Sequence, residues 1–307
     1  MFRGVKRRRA VGKTATLGKW EFVKQLHLTK KLLWLALAVL AVLALYPVLF
    51  LTVGSLMGND ALADALGAVV SGKEGYADFP LLPQYPTLRH YVEVLLDSPG
   101  FFVMFWNSVK ITCGVLAGQL LFGTMAAWGF AKYKFFWKKG FFLIYMVLML
   151  LPFQVRMLSE YLVLDRLNLT DSLWGIILPG AFSTFPVFLM YRFFKEVPDS
   201  LLESAKLDGA CGWQLFFHIA LPIGSSGIIA AMVLGFLEYW SLIEQPMTFL
   251  KDKSLFPLSI FLPDITQISR SGMAFAASVF TFLPAVLVFL GGQDYLEQGI
   301  MAGAVKE

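Results

Sequence analysis

The sequence predicts an all-α integral membrane protein, and three observations lead to this fold class. Of the 307 residues, 57% are hydrophobic and only 15% are charged, and the mean hydropathy is +0.66. Such a chain has too little polar surface for a soluble globule of this size. Six apolar segments meet or approach the roughly 20 residues that a helix needs to cross a bilayer: 32–57, 101–131, 140–158, 172–192, 222–248 and 272–293.

The apolar segments divide the chain into three regions. A basic arm, 1–31, precedes the first segment, which is longer than the roughly 7–15 apolar residues of a signal-peptide core and should stay as a membrane helix. A six-helix membrane domain spans 32–293, and a cytoplasmic tail, 294–307, follows it. Gly114 and Gly118 have a spacing that lets helices approach closely. Prolines inside the segments remove backbone hydrogen bonds and permit kinks: Pro152, Pro179, Pro186 and Pro284.

The charged loop residues orient this domain in the membrane. The arm 1–31 holds ten Lys or Arg residues against one acid, and the loop 132–139 adds four lysines. The segment 58–100 is acidic and rich in proline, which is typical of an outer loop with one or two surface helices. Basic loops stay on the cytoplasmic side. Six crossings then place both termini and the loop 193–221 in the cytoplasm.

Several chemical functions are excluded. The basic run from Arg7 to Arg9 lacks the interleaved aromatic residues and the separate fold of a nucleic-acid site. The run 12–14, Gly-Lys-Thr, imitates the end of a phosphate-binding loop, but the glycine required five residues earlier is an arginine. The three histidines lie far apart, and no Cys/His cluster has metal-ligand spacing. We therefore expect no catalysis, no metal, no bound cofactor and no nucleic-acid partner.

A polar block interrupts the apolar pattern after the fourth segment. Pro198 can occupy a first helical turn, and Asp199 or Ser200 can satisfy free amides at a helix start. A short helix is therefore expected from Pro198 to about Asp208. Gly209 then tolerates the left-handed conformation that reverses a chain after a helix.

A second short helix is expected over 210–219, connected through Pro222 to the fifth membrane segment. On the first helix, Leu201, Ala205 and Asp208 lie near one face by their i, i+4, i+7 spacing. Small side chains keep that surface slim. The block therefore predicts a compact helix pair that fits a groove on a partner.

This block resembles the cytoplasmic signature of bacterial ABC importer permeases, Glu-Ala-Ala-x-x-x-Gly, then nine residues, then Ile-x-Leu-Pro. Glu203 opens the pattern, Gly209 closes its first half, and Ile219 follows after nine residues. Ser204 stands where the family usually has alanine, and serine is also small. The stretches 174–179 and 256–258 resemble the maltose-type branch of this family. The tail, 298–306, resembles the smaller of the two permeases in that branch.

The resemblance implies the type I fold of ABC importer permeases, with six membrane helices and a cytoplasmic coupling helix. It implies a non-catalytic permease that provides the pathway for a carbohydrate, either a sugar or an oligosaccharide, across a bacterial cell membrane. The implied partners are a homologous second permease, two ATPase subunits, an extracytoplasmic solute-binding protein and the lipid bilayer. The ATPase subunits, and not this chain, bind ATP and Mg²⁺.

Two groups of residues follow from this resemblance and from the spacing within the block. The first group contacts an ATPase subunit or shapes that contact: Leu201, Glu203, Ser204, Ala205, Asp208, Gly209, Ala210 and Pro222. The second group, in the tail, reaches the ATPase dimer interface: Gln298, Gly299, Gly303 and Lys306.

The candidate substrate pathway consists of polar and aromatic residues in the membrane segments. Polar residues there are costly and usually face protein or water, and aromatic faces beside carboxylates or amides suit sugars. Glu238 with Trp240 is the first choice. The full predicted set is Asn107, Gln154, Glu238, Tyr239 and Trp240. Further polar candidates are Lys110, Gln119, Arg156 and Glu244.

Two alternatives remain open. An ATP-independent secondary transporter or channel would also use kinked helices with buried acids, although it would not need the polar block. A different cargo, such as an amino sugar polymer, a uronate oligomer or a polyol phosphate, would use the same architecture.

Overall fold

The computed structural model describes residues 4–70, 82–83, 85–261 and 268–304, and side chains within 30–67, 82–83, 85–261 and 270–297. All regular structure in these ranges is helical. The α-helices are α1 (Gly4–Leu56), α2 (Asn59–Val70), α3 (Arg89–Leu96), α4 (Pro99–Gly118), α5 (Thr124–Lys132), α6 (Lys138–Leu150), α7 (Phe153–Arg166), α8 (Trp174–Ala181), α9 (Thr184–Glu196), α10 (Asp199–Leu207), α11 (Gly212–Leu215), α12 (Leu221–Ile223), α13 (Ser225–Trp240), α14 (Glu244–Phe249) and α15 (Ile268–Ala304). The described residues also contain two π-helical segments, Gln119–Gly123 and Phe216–Ala220, and two 3₁₀ turns, Lys253–Leu255 and Leu258–Ile260.

The helical membrane fold predicted from the sequence is confirmed. The described residues contain four stretches long and apolar enough to cross a membrane: Lys30–Leu56, Pro99–Lys132, Trp174–Glu196 and Arg270–Glu297. Two bent pairs meet the same criteria when their halves are taken together. In one pair α6 and α7 differ in direction by 107°, and in the other α13 is bent by 72° from the stretch before it. The number of crossings is therefore four to six.

The predicted segment 140–158 is not a straight helix. α6 ends at Leu150, and Leu151 and Pro152 have extended backbone before α7 begins. Proline has no amide hydrogen with which to continue the hydrogen-bond ladder of α6. The chain therefore turns sharply here, and α7 leaves at a steep angle.

The fourth and fifth predicted segments are interrupted as well. Phe182 and Ser183 separate α8 from α9, because Pro186 cannot donate a hydrogen bond to the Phe182 carbonyl. α13 ends at Trp240, and residues 241–243 separate it from α14. The fifth membrane helix is therefore shorter than the sequence predicts.

α2 and α3 occupy the predicted outer segment, 58–100, and each exposes one side and buries the other. Both pack against α15, and the side chains of Leu62, His90 and Val94 are fully buried. The buried sides of these two helices therefore form part of the core. Residues 71–81 and 84 of this segment lie outside the described residues.

α13 lies at the centre of the fold and packs against α4, α9 and α15. α4 and α8 also meet closely, at two glycines. A Cβ placed on Gly118 would lie 2.3 Å from the Cβ of Ala181, and one on Gly114 would lie 3.1 Å from the Ile177 side chain. The close packing predicted from the spacing of these glycines is confirmed.

The first and last helices include most of the predicted arm and tail. α1 begins at Gly4 and α15 ends at Ala304, so both proposed boundaries of the membrane domain fall within continuous helices. Of the predicted contact residues of the tail, Gln298, Gly299 and Gly303 lie in the part of α15 where side chains are not described. Lys306 lies outside the described residues.

Candidate coupling helix and membrane cavity

The short helix α10 ends in the predicted glycine turn. Gly209 has a φ of +88°, and its amide donates to the Lys206 carbonyl at 3.0 Å. The Ala210 amide donates to the Ala205 carbonyl, also at 3.0 Å. These two bonds form a Schellman cap, which needs a left-handed residue at the turn. A Cβ on Gly209 would meet no atom within 4 Å, so backbone conformation, not space, requires the glycine.

The start of α10 is held differently from the prediction. Neither Asp199 nor Ser200 caps the helix, because the N-cap residue is a proline, which has no side-chain oxygen. Instead the Lys132 ammonium lies 2.7 Å from the Asp199 carboxylate and donates to the carbonyls of Lys195 and Val197. The hydrogen bond from Lys132 holds the pKa of Asp199 below its usual value.

α10 packs onto the membrane helices through one side and exposes the other. Leu202 is buried in a core that includes Phe194 and Leu215, and Ala205 packs against the same core. The predicted slim face is therefore partly occupied at Ala205. Ala210, in the turn, also packs against this core. The other predicted coupling residues of α10 and its turn are exposed: Leu201, Glu203, Ser204, Asp208 and Gly209.

The second short helix begins later than predicted and continues from an α-helix into a π-helical segment. α11 starts after Cys211, whose amide donates to the Gln214 side chain at 2.8 Å. Pro222 has no amide hydrogen for the next α-helical bond. The Leu221 amide donates instead to the Phe216 carbonyl, five residues earlier, which gives a π-helical turn. The connection into α13 is thus irregular at Pro222.

A cavity of about 700 Å³ lies where the interrupted membrane helices meet. Its wall is formed by the end of α6, the start of α7, the break between α8 and α9, and the end of α13. Irregular backbone at membrane depth is tolerated where it is buried in protein or lines a water-filled cavity. The polar residues of the wall are Arg156, Glu160, Ser183, Thr184, Glu238, Tyr239, Ser241, Glu244 and Gln245.

Two side-chain contacts organise this wall. Arg156 Nη1 donates to Glu160 Oε1 at 2.8 Å, and Gln154 Nε2 donates to Glu244 Oε1 at 2.7 Å. Gln245 is only 9% exposed, and its carboxamide oxygen accepts no hydrogen bond within the described part of the chain. The wall therefore holds a buried acceptor without a donor.

Three of the five predicted pathway residues lie at this cavity. Glu238 and Tyr239 line it, and Gln154 contacts its wall through Glu244. Five polar residues of the wall were not predicted from the sequence: Glu160, Ser183, Thr184, Ser241 and Gln245. The i, i+4 spacing of Arg156 and Glu160 was the one available signal.

The other two predicted pathway residues do not line the cavity. Asn107 donates to the carbonyls of Ser254 at 2.7 Å and Phe256 at 3.2 Å. The Trp240 indole donates to the Thr281 carbonyl at 2.8 Å and is buried among aromatic rings. Both side chains stabilise packing, because the rotation of their helices points them into the protein.

Gln119, one of the wider set of candidates, is also structural. Its Nε2 donates to the Gly180 carbonyl at 3.0 Å, and the side chain is fully buried. This bond crosses from the π-helical segment after α4 to α8. Lys110 is exposed on α4 and does not line the cavity.

Together these features define a membrane transport component, with helices broken around a polar cavity and an exposed helix fixed at both ends. Residues 119–302 match the family described as binding-protein-dependent transport system inner membrane component. This match covers more than half of the chain, and the chain belongs to this family.

Individual relatives agree with the family match. The chain is 28% identical to the arabinooligosaccharides transport system permease protein AraQ of Bacillus subtilis, covering 87% of this chain and 92% of AraQ. It is 25% identical to the lactose transport system permease protein LacG of Rhizobium radiobacter, covering 88% and 94%. A bacterial ABC transporter that imports the acidic polysaccharide alginate has the same fold, with a TM-score of 0.71 at 19% identity, covering 96% and 99%.

The resemblance to ABC importer permeases is therefore confirmed. The chain is a permease component of a binding-protein-dependent importer and not an enzyme, since ATP hydrolysis in such systems lies in separate subunits. Membership of this family decides against the alternative of an ATP-independent transporter or channel.

Proposed function

We propose that this permease provides the membrane pathway for a carbohydrate, a sugar or short oligosaccharide, delivered by an extracytoplasmic solute-binding protein. The names of the relatives AraQ and LacG support a sugar cargo. The cavity supports it too, because its wall combines aromatic side chains with carboxylates and an amide.

The proposed assembly contains a homologous second permease and two ATPase subunits that bind ATP and Mg²⁺. Both termini and α10 lie in the cytoplasm in this arrangement, as the basic loops favour. The residues that contact an ATPase subunit are those predicted around the glycine turn. The tail, 298–306, reaches the interface between the two ATPase subunits.

The observation that carries this proposal is the exposed helix α10 with both ends fixed. At its start Lys132 ties it to α5, and at its end the turn at Gly209 is locked by two backbone bonds. Leu202 buries its inner side against the membrane helices. Such a helix can transmit a push from a partner without bending.

The proposed mechanism is alternating access. When the ATPase subunits close on ATP, they move α10, and the membrane helices rock so that the cavity opens to the outer side. The closed ATPase dimer must bind the outward-facing state more tightly than the inward-facing state, because equal binding to both shifts nothing. Hydrolysis then returns the cavity to the cytoplasmic side.

Uptake by the reconstituted complex tests this proposal. The chain, tagged at its N-terminus, is purified in mild detergent from its native membrane, and the copurifying subunits are identified by mass spectrometry. We expect a second permease and an ATPase, and ATP-dependent sugar uptake in proteoliposomes once the binding protein is added. Recovery of a folded chain alone, without ATPase activity, would contradict the proposal.

A variant at the turn links this uptake to α10. Gly209→Trp should insert and fold, yet abolish ATP-dependent uptake, because it strains the turn and enlarges the exposed surface. Gly100→Ala is the control, since a Cβ there also meets no atom within 4 Å. Normal uptake by Gly209→Trp would overturn the docking role of this turn.

A further inference from the structure

Acidic side chains outnumber basic side chains in the cavity wall. Arg156 is the one basic residue in the wall, against three acidic residues, Glu160, Glu238 and Glu244. Arg156 is already paired with Glu160. An anionic cargo would therefore face two further carboxyl groups and no unpaired cation of the wall. Like charges placed together in a site of low polarity oppose binding.

The wall also has more buried hydrogen-bond acceptors without a partner than buried donors without one. Two oxygen atoms at this site, Gln245 Oε1 and Glu160 Oε2, are buried without a hydrogen-bond donor among the described residues. The exposed Glu238 carboxylate lines the same cavity as a further acceptor. The Nε of Arg156 is the buried donor left without an acceptor. Buried acceptors without donors are costly, so a cargo that donates hydrogen bonds satisfies this wall.

Resting on the proposed function, we propose that this cavity accepts a neutral, hydroxyl-rich carbohydrate and rejects acidic sugars, with Glu238 as the residue that discriminates. Sugar hydroxyls donate to carboxylates in strong, charge-assisted bonds. The exposed aromatic rings of Phe182 and Phe185 in the same wall are available to cover the apolar faces of the sugar rings. The cargo class thus differs from that of the alginate importer, which has the same fold.

The experiment compares two sugars of equal length, one neutral and one carrying uronate groups. The uptake rate of each sugar is measured in proteoliposomes that contain the complete complex. The binding protein is added on the outer side, and ATP is supplied on the side of the membrane that carries the ATPase subunits. The ratio of the two rates is then compared between wild type and Glu238→Gln. The selectivity of the binding protein cancels in this comparison, because the same binding protein serves both complexes.

We expect wild type to import the neutral sugar faster, and Glu238→Gln to raise the relative rate of the uronate sugar at least several-fold. Asp165→Asn is the matched control: it removes an exposed carboxylate of α7 that does not line the cavity, and should leave the ratio unchanged. If Glu238→Gln does not assemble, as judged by gel filtration, Glu244→Gln gives the second measurement.

Three results would overturn the inference. The first is an unchanged ratio in an assembled Glu238→Gln or Glu244→Gln complex. The second is faster import of the uronate sugar than of the neutral sugar by wild type, with the dependence on ATP intact, which leaves the importer function standing. The third is failure of ATP-dependent import for every sugar tested in an intact complex, which would overturn the proposed function as well.

Discussion

The ammonium group of Lys132 lies 2.7 Å from the carboxylate of Asp199, and this contact joins the end of α5 to the first turn of α10. Lys132 also donates to the backbone carbonyls of Lys195 and Val197. One lysine thus holds the end of α9, the start of α10 and its own helix together. This arrangement makes Lys132 the mechanical link between the exposed helix and a membrane helix.

Removing the lysine should uncouple the transporter more than removing its acidic partner. Lys132→Met leaves two carbonyls and a carboxylate without their donor, and we expect ATP-dependent uptake to fall roughly 5-fold or more. Asp199→Asn keeps the bonds from Lys132 to the carbonyls, and should reduce uptake only slightly because Asp199 is exposed. Equal losses in the two variants, measured in proteoliposomes, would contradict this role of Lys132.

The ion pair between Lys132 and Asp199 should not add a pH dependence to uptake near neutral pH. The pKa of Asp199 is lowered in the folded state by its hydrogen bond from Lys132. Its contribution to stability is therefore complete above the unfolded-state pKa of about 3.9 and is lost as pH falls through the lowered folded-state value. Between about pH 5 and 8, wild type and Asp199→Asn should have parallel profiles.

The left-handed turn at Gly209 should tolerate asparagine better than valine. Asparagine adopts this conformation at modest cost, whereas a β-branched residue is strongly disfavoured there. A Cβ meets no neighbouring atom at this position, so a larger loss in the valine variant reports backbone strain and not a clash within the chain. We expect Gly209→Asn to keep substantial ATP-dependent uptake and Gly209→Val to lose most of it. The reverse order would show that space on the docking surface decides.

The close contact between Gly118 and Ala181 should dominate the packing of α4 on α8. Gly118→Ala forces its new Cβ to within 2.3 Å of the Ala181 Cβ, and such overpacking typically costs about 1–3 kcal/mol. Ala181→Gly in the same chain should restore the melting temperature of the detergent-purified complex. Gly100→Ala, where nothing lies within 4 Å, is the control. A double variant as unstable as Gly118→Ala would refute the direct contact.

Trp240 should affect stability and not cargo selection. Trp240→Phe keeps an aromatic ring among its neighbours but removes the indole donor to the Thr281 carbonyl, a loss of about 1 kcal/mol. We expect a lower melting temperature and an unchanged uptake ratio between neutral and acidic sugars. A change in that ratio at unchanged stability would place Trp240 in the substrate pathway after all.

The sequence predicted local backbone features well and side-chain directions less well. The turn at Gly209 followed from glycine's tolerance of positive φ, and the packing at Gly118 followed from helical spacing; both are local properties of the chain. The direction of Trp240 depends on the rotation of α13 against three neighbouring helices. No local pattern encodes that rotation, and Trp240, chosen first together with Glu238 for the substrate pathway, therefore does not line the cavity.

The positions of the breaks show the same division. Proline marked the interruption at Pro152, but the bend of 107° between α6 and α7 is set by what packs on both sides. Gln245 has neither charge nor a motif around it, and only the assembled helices reveal its buried oxygen. Long-range packing, and not composition, creates the cavity.

The most direct test of the central claim is photo-crosslinking from α10 in the intact complex. Leu207 is 90% exposed beside the glycine turn, and Leu96, at the end of α3, is 76% exposed. A photoreactive residue at position 207 should capture the ATPase subunit in a complex that hydrolyses ATP, whereas one at position 96 should not. Absence of the ATPase from the products at position 207, or equal capture from both positions, would contradict the account.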